Sequence, residues 1–93
     1  MEKIIIKEMT PEAAKELGVH TWNKWNCEPS RFAWEYEDQE TAYIYEGDVI
    51  VTSGDESVHI TENMLVSFPK GMKCIWDVRK TIKKVYTFNF EIK

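Results

Sequence analysis

Two stretches of the chain hold the side chains able to do chemistry. The first, Trp34-Glu-Tyr36-Glu-Asp-Gln-Glu40-Thr-Ala-Tyr-Ile-Tyr-Glu-Gly47, sets a phenol and a carboxylate among aromatic rings. The second, Phe68-Pro69-Lys-Gly71-Met-Lys-Cys74-Ile-Trp76, sets a thiol beside an indole. Glu40 offers general acid–base work, and Tyr36 a proton donor or positioning hydroxyl. Cys74 offers a nucleophile only as thiolate, which apolar surroundings disfavour, and no histidine stands where it would activate the sulfur. Residues two apart on a strand share a face, so Phe32, Trp34 and Tyr36 belong together, as do Cys74, Trp76 and Val78.

Strands must present these groups, and the rest of the chain supplies strands. Arg31, Ala33 and Glu35 alternate with Phe32, Trp34 and Tyr36 at the two-residue period. Glu37-Asp38 turns the chain into a strand over Glu40–Glu46. Val49, Val51 and Val58, Ile60 flank Ser53-Gly54-Asp55-Glu56, which reads as a hairpin loop. Leu65–Phe68, Lys73–Val78 and Lys84–Glu91 follow, the last placing Tyr86, Phe88 and Phe90 in the core. Arg79-Lys80 and Lys83-Lys84 read as a solvated turn between the final two strands.

Upstream, Lys3–Glu8 is a short apolar strand with no evident partner among its own hairpins. Thr10 is a good N-cap, Pro11 suits the first helical position and Gly18 supplies the stop, which predicts a helix over Pro11–Leu17. Two turns cannot stand alone and must lie against something larger. Trp22 and Trp25 pack the lead-in against the body. Turn signals at intervals of roughly 8–12 residues, with no second helix, predict an all-β sandwich or barrel.

The two chemical stretches resemble the paired motifs of the cupin family, jelly-roll β-barrels that usually hold a metal on three histidines and a glutamate. The family's first motif reads His-x-His, three or four residues, Glu, six residues, Gly. Three residues separate Tyr36 from Glu40 here, and six separate Glu40 from Gly47. The second motif reads Gly, five residues, Pro-x-Gly, two residues, His. Asn63, Pro69, Gly71 and Cys74 stand at those positions. The resemblance implies an all-β jelly-roll β-barrel of about six to eight strands with one short N-terminal helix. It implies a single domain over residues 1–93, with 1–27 as strand, helix and lead-in and 28–93 as barrel. It also implies one pocket surrounded by Trp34, Tyr36, Glu40 and Cys74, with Trp76 beside them. The likeness is closest to small cupins related to the ureidoglycine aminohydrolases, which act on nitrogen-containing substrates. Those namesakes have two cupin domains and a manganese site, whereas this chain has one domain and lacks the histidines.

A transition metal needs several imidazole, thiolate or carboxylate donors converging on one point. Glu40 and Cys74 offer two, Tyr36 as phenolate a third, and Trp34 none. His59 alternates with Val58 and Ile60 and points to solvent, while His20 follows the helix and is packed or exposed. The expectation is no metal cofactor, with Glu40 and Cys74 as the ligands were one bound. The chain then reads as a metal-free, aromatic-lined pocket for a small polar metabolite. Trp34 and Trp76 bind the ligand, while Glu40, Tyr36 and Cys74 form the catalytic set of an aminohydrolase-like enzyme with Glu40 as acid/base. The alternatives are a non-catalytic binding or sensing module and a structural protein with a vestigial site. In the last, Tyr36 and Glu40 hydrogen-bond each other and Cys74 fills space. An ionised carboxylate inside an apolar barrel costs several kcal/mol unless paired, which favours function. On that reasoning a functional Glu40 changed to Gln leaves the melting temperature unchanged or higher, and a structural one lowers it.

Bulk properties bound the partners. Ninety-three residues make one domain. Four Trp, four Tyr and four Phe, each burying roughly 150–250 Å², supply the packing so small a core needs. A net charge of −4 with scattered lysines leaves no basic face for nucleic acid. The apolar run at the N-terminus is too short for a secretory segment or a membrane span, so a cytoplasmic protein with Cys27 and Cys74 reduced is expected. Open jelly-roll edges need cover, which predicts a homodimer.

Overall fold

A computed structural model describes residues 3–92; Met1, Glu2 and Lys93, which the sequence reading includes in the domain, lie outside the described residues. Thr10 Oγ1 accepts from the Ala13 N–H at 3.2 Å, and Gly18, at φ +93°, closes helix α1 (Pro11–Leu17). A 3₁₀ turn over Val19–Thr21 follows. The strands are β1 (Ile5–Glu8), β2 (Asn23–Cys27), β3 (Ser30–Glu35), β4 (Glu40–Ser53), β5 (Glu56–Thr61), β6 (Met64–Phe68) and β7 (Lys73–Phe88). No helix among the described residues is long and apolar enough to cross a membrane.

β4 and β7 run antiparallel side by side and organise everything else. The first half of β4 pairs with β6 and with the second half of β7; β1 and β2 extend that sheet at its two ends. The second half of β4 pairs with β5 and with the first half of β7, which also takes β3. The register slips between Ile44 and Val49, where both long strands bend from one half to the other. Gly47 makes that bend possible: it sits at φ +134°, and a Cβ there would lie 2.8 Å from the Ile82 Cα. The result is the expected jelly-roll, mostly strand with one short helix.

Inward side chains such as Ile44, Val49, Val51, Ile60, Phe68 and Ile82 are essentially solvent-free and form the main core. Each contributes roughly 1.5–3 kcal/mol by leaving water. Ala14, Val19, Tyr43, Leu65 and Val85 form a second cluster where the helix covers the outer face of the first sheet. Asn63, at the motif's first glycine position, takes a left-handed φ of 62° that asparagine tolerates.

Four expectations change. β4 and β7 are continuous, so Arg79 through Lys84 is no solvated turn: it is the bent middle of β7, and Lys84 points inward and is buried. β1 does have a partner, pairing Ile5–Glu8 with Met64–Ser67. The lead-in through residue 27 is part of the sheet, because Asn23–Cys27 pairs with Ile82–Tyr86. Of Tyr86, Phe88 and Phe90, only Tyr86 packs against the core. Phe88 is half exposed, Tyr86 is only partly buried, and Phe90 lies beyond the strand with its ring 5.1 Å from that of Trp22.

Candidate functional site

β4 begins at Glu40, held between Phe68 of β6 and Phe88 of β7. Its side chain faces inward, and the residue is only 6 % exposed. Across β7, Lys84 stands in register with Ile44 and Trp25 and is 7 % exposed. Its Nζ donates to Glu40 Oε2 at 3.0 Å. The same ammonium lies 4.6 Å from the Trp76 ring, 4.9 Å from Trp25 and 5.6 Å from Tyr86. Ring faces carry negative charge density, so this cage offsets part of the lysine's lost hydration. Burial nevertheless pushes the Lys84 pKa below the ordinary lysine value, against the opposing pull of Glu40.

The pair forms part of the wall of a cavity of about 480 Å³. Trp25, Phe32, Trp76, Tyr86 and Phe88 give it aromatic sides, and Glu35, Glu37 and Asp38 stand at its edge. Trp25, Phe32 and Trp76 form one aromatic group, with Phe32 stacked on Trp76 at 6.2 Å and Trp25 edge-on to both.

Tyr36 also borders this cavity and is buried. Its ring stacks on Phe68 at 4.7 Å, and its hydroxyl oxygen accepts from Trp76 Nε1 at 3.1 Å. Its backbone is pinned to the second motif: the Tyr36 N–H donates to Met72 O and the Gly71 N–H to Tyr36 O. Gly71 makes that turn at φ +84°. Burial, reinforced by the Glu40 charge, raises the phenol's pKa, so Tyr36 keeps its proton.

The structure brings Tyr36, Glu40 and Trp76 to one wall and treats the other two predicted residues differently. Trp34, expected to enclose the pocket, is 52 % exposed and stands at its mouth. Cys74 does not border the cavity. It pairs opposite Trp34, is 5 % exposed in the core, and lies beneath a separate shallow hollow near Thr52 and Gly54. Burial pushes its thiol up to about 11, so at neutral pH it is an inert hydrophobe rather than a nucleophile. The hydrogen bond between Tyr36 and Glu40 that the structural reading requires is also replaced, since Glu40 has Lys84 and Tyr36 has Trp76.

Sequence reasoning missed Lys84, Trp25, Phe32 and Tyr86. Lys84 had a detectable signal: Ile82, Lys84 and Tyr86 are alternate residues, so a strand through them turns all three one way. The surrounding cluster of positive charge hid it.

Among the described residues, no three His, Cys, Asp or Glu side chains converge. Glu40 is taken by Lys84, Tyr36 and Cys74 are protonated, and Trp34 has no donor atom. His59 sits on the surface with Asp48 at 2.7 Å, and His20 is exposed. This donor set does not fit the family's usual metal. Cys27 and Cys74 are both free.

Comparison with known proteins agrees with this fold. A search of curated proteins found no match. A crystal structure of a DUF861 family protein from Thermotoga maritima is 42 % identical, with a TM-score of 0.87, covering 92 % of this chain and 99 % of that one. The Clostridium difficile EutQ protein is 18 % identical with a TM-score of 0.63, covering 89 % of this chain and 64 % of that one, a likeness of fold. The model of the EutQ-like cupin domain matches residues 14–86, and this chain therefore belongs to the EutQ-like cupin family.

Proposed function

We propose that this small cupin binds a small polar metabolite in its aromatic cavity and that Glu40, coupled to Lys84, gives or takes a proton there. The observation that carries this reading is the buried ion pair at 3.0 Å on the wall of a cavity of about 480 Å³. A few convergent polar groups between aromatic walls are the usual make-up of a small-molecule site. Glu35, Glu37, Asp38 and Glu40 against the one ammonium of Lys84 give the cavity a negative balance, which suits a substrate presenting amino or amide nitrogen. That preference suits an aminohydrolase-like release of ammonia from a neutral or cationic nitrogen compound, and it disfavours the carboxylate that ureidoglycine itself carries. With Cys74 protonated and off the wall, catalysis would rest on Glu40, Lys84 and the neutral Tyr36 hydroxyl. The half-exposed Trp34 at the mouth favours a second reading, a binding or sensing module that closes an indole over its ligand. We also infer a homodimer, supported by exposed Ile5 and Ile6 on the edge strand β1; light scattering returning a mass near the 11.0 kDa of one chain would defeat it.

The indole N–H resonances offer a direct test. Trp25, Trp34 and Trp76 border the cavity and Trp22 does not. Titration with ureido compounds, amino acids and sugars is expected to shift the first three signals and leave the fourth. A complete panel with no such shift would remove the reading. For a ligand that binds, Glu40→Gln abolishes turnover in an enzyme and leaves affinity largely intact in a sensor.

A further inference from the structure

Lys84 has a feature that a purely structural ion pair does not need: it forms part of the wall of a cavity of about 480 Å³. Rings of Trp25, Trp76 and Tyr86 lie within 5.6 Å of Nζ, and Glu40 Oε2 lies 3.0 Å away. Lys84 itself is one of the residues that line the cavity, so a carbonyl compound held there would lie against its side chain. Resting on the pocket proposed above, we propose that Lys84 is a nucleophile that captures a small neutral or cationic aldehyde or ketone as an imine, with Glu40 moving the protons.

The step balances with these two residues alone. Glu40 takes a proton from the Lys84 ammonium, and the freed lone pair forms the C–N bond as the C=O pair moves to oxygen. That oxygen takes the proton from Glu40, and Glu40 then removes a second proton from nitrogen. Returned to the hydroxyl, this proton lets it leave as water while the nitrogen lone pair closes the C=N bond. The iminium carries the charge the ammonium carried, so the ion pair with Glu40 is restored when the water has left. Burial that disfavours the ammonium assists the first transfer, as is usual for imine-forming lysines.

The cavity edge sets the class of carbonyl compound. Glu35, Glu37 and Asp38 repel a carboxylate or phosphate, which disfavours keto acids and sugar phosphates. Flat aromatic walls favour an unsaturated or aromatic carbonyl substituent.

Reductive trapping tests this. The full chain is incubated with benzaldehyde or with glyoxylate, each with cyanoborohydride, and adducts are located by peptide mapping. Lys84 is expected to label about tenfold faster than exposed lysines such as Lys7 and Lys70 with benzaldehyde, and about tenfold slower with glyoxylate than with benzaldehyde. Glu40→Gln slows Lys84 labelling, and Lys84→Met removes it without changing the surface pattern. The wild-type peptide map decides the matter even if a variant fails to fold. Labelling confined to surface lysines overturns the imine proposal. If benzaldehyde still shifts the Trp25, Trp34 and Trp76 indole signals in that case, the pocket stands without it. If no member of the wider panel shifts them either, both fall.

Discussion

Lys84 Nζ and Glu40 Oε2 lie 3.0 Å apart although their residues are 44 positions apart in the chain, and both side chains are more than nine-tenths buried. Of the four metal-ligand positions of the cupin motifs, Glu40 holds the one where this chain keeps the expected residue. An organic cation now faces that carboxylate. The pair also changes what stability measurements can decide. Glu40→Gln leaves a buried ammonium unpartnered, so destabilisation is expected whether or not Glu40 has a function, and ligand binding must make the distinction.

A double-mutant cycle measures the coupling. Glu40→Gln and Lys84→Met should each cost about 3 kcal/mol, because each strands one buried charge. The double variant should recover much of that loss, since a Gln–Met pair leaves no ion to solvate. Urea unfolding checks this; single and double losses that simply add would mean the two groups are not coupled.

Alkaline pH should destabilise the fold in a range set by Cys74. Its folded pKa of about 11 lies above the ordinary 9.0, so the protonated thiol is favoured by folding. That contribution is complete below pH 9 and is lost as pH rises to 11, amounting to at most about 2–3 kcal/mol. Tyr36, raised by burial, acts with the same sign above pH 10. Chemical denaturation at pH 8.5 and 11 should show the loss in wild type and a smaller one in Cys74→Ala. In the native protein at pH 8, a disulfide reagent should modify half-buried Cys27 well before Cys74.

Gly47→Ala should be severe for its size. The added methyl meets the Ile82 backbone at 2.8 Å, and φ +134° is strained for any L side chain. A loss of at least about 2 kcal/mol is expected from melting experiments. Gly54→Ala is the control, because open space surrounds that turn glycine and only its φ of +57° opposes the change.

Protein prepared without chelator or histidine tag should contain no stoichiometric transition metal by elemental analysis. One equivalent of zinc, manganese, iron or nickel would overturn the donor-set argument, and Glu40 and Cys74 would be the first residues to substitute.

Local chemistry determines much of this protein without reference to its partners in space. Thr10, Pro11 and Gly18 start and stop the helix through capping and backbone preference, and two-residue alternation marks the strands and their inward faces. The spacing from Glu40 to Gly47 and from Pro69 to Cys74 carries the jelly-roll frame, because Gly47 and Gly71 occupy backbone conformations that side chains resist. Tertiary structure alone decided the depth of each inward residue. Trp34, Tyr36 and Cys74 were all assigned inward by parity, yet they end at the mouth, on the wall and in the core beyond it. Period reports the face of a strand and says nothing of where the barrel closes over it. Lys84 shows the same limit from the other side. Beside Arg79, Lys80 and Lys83 its charge reads as solvated, and only the bend that Gly47 permits carries it into the barrel, where Glu40 and three aromatic rings make a buried ammonium tolerable.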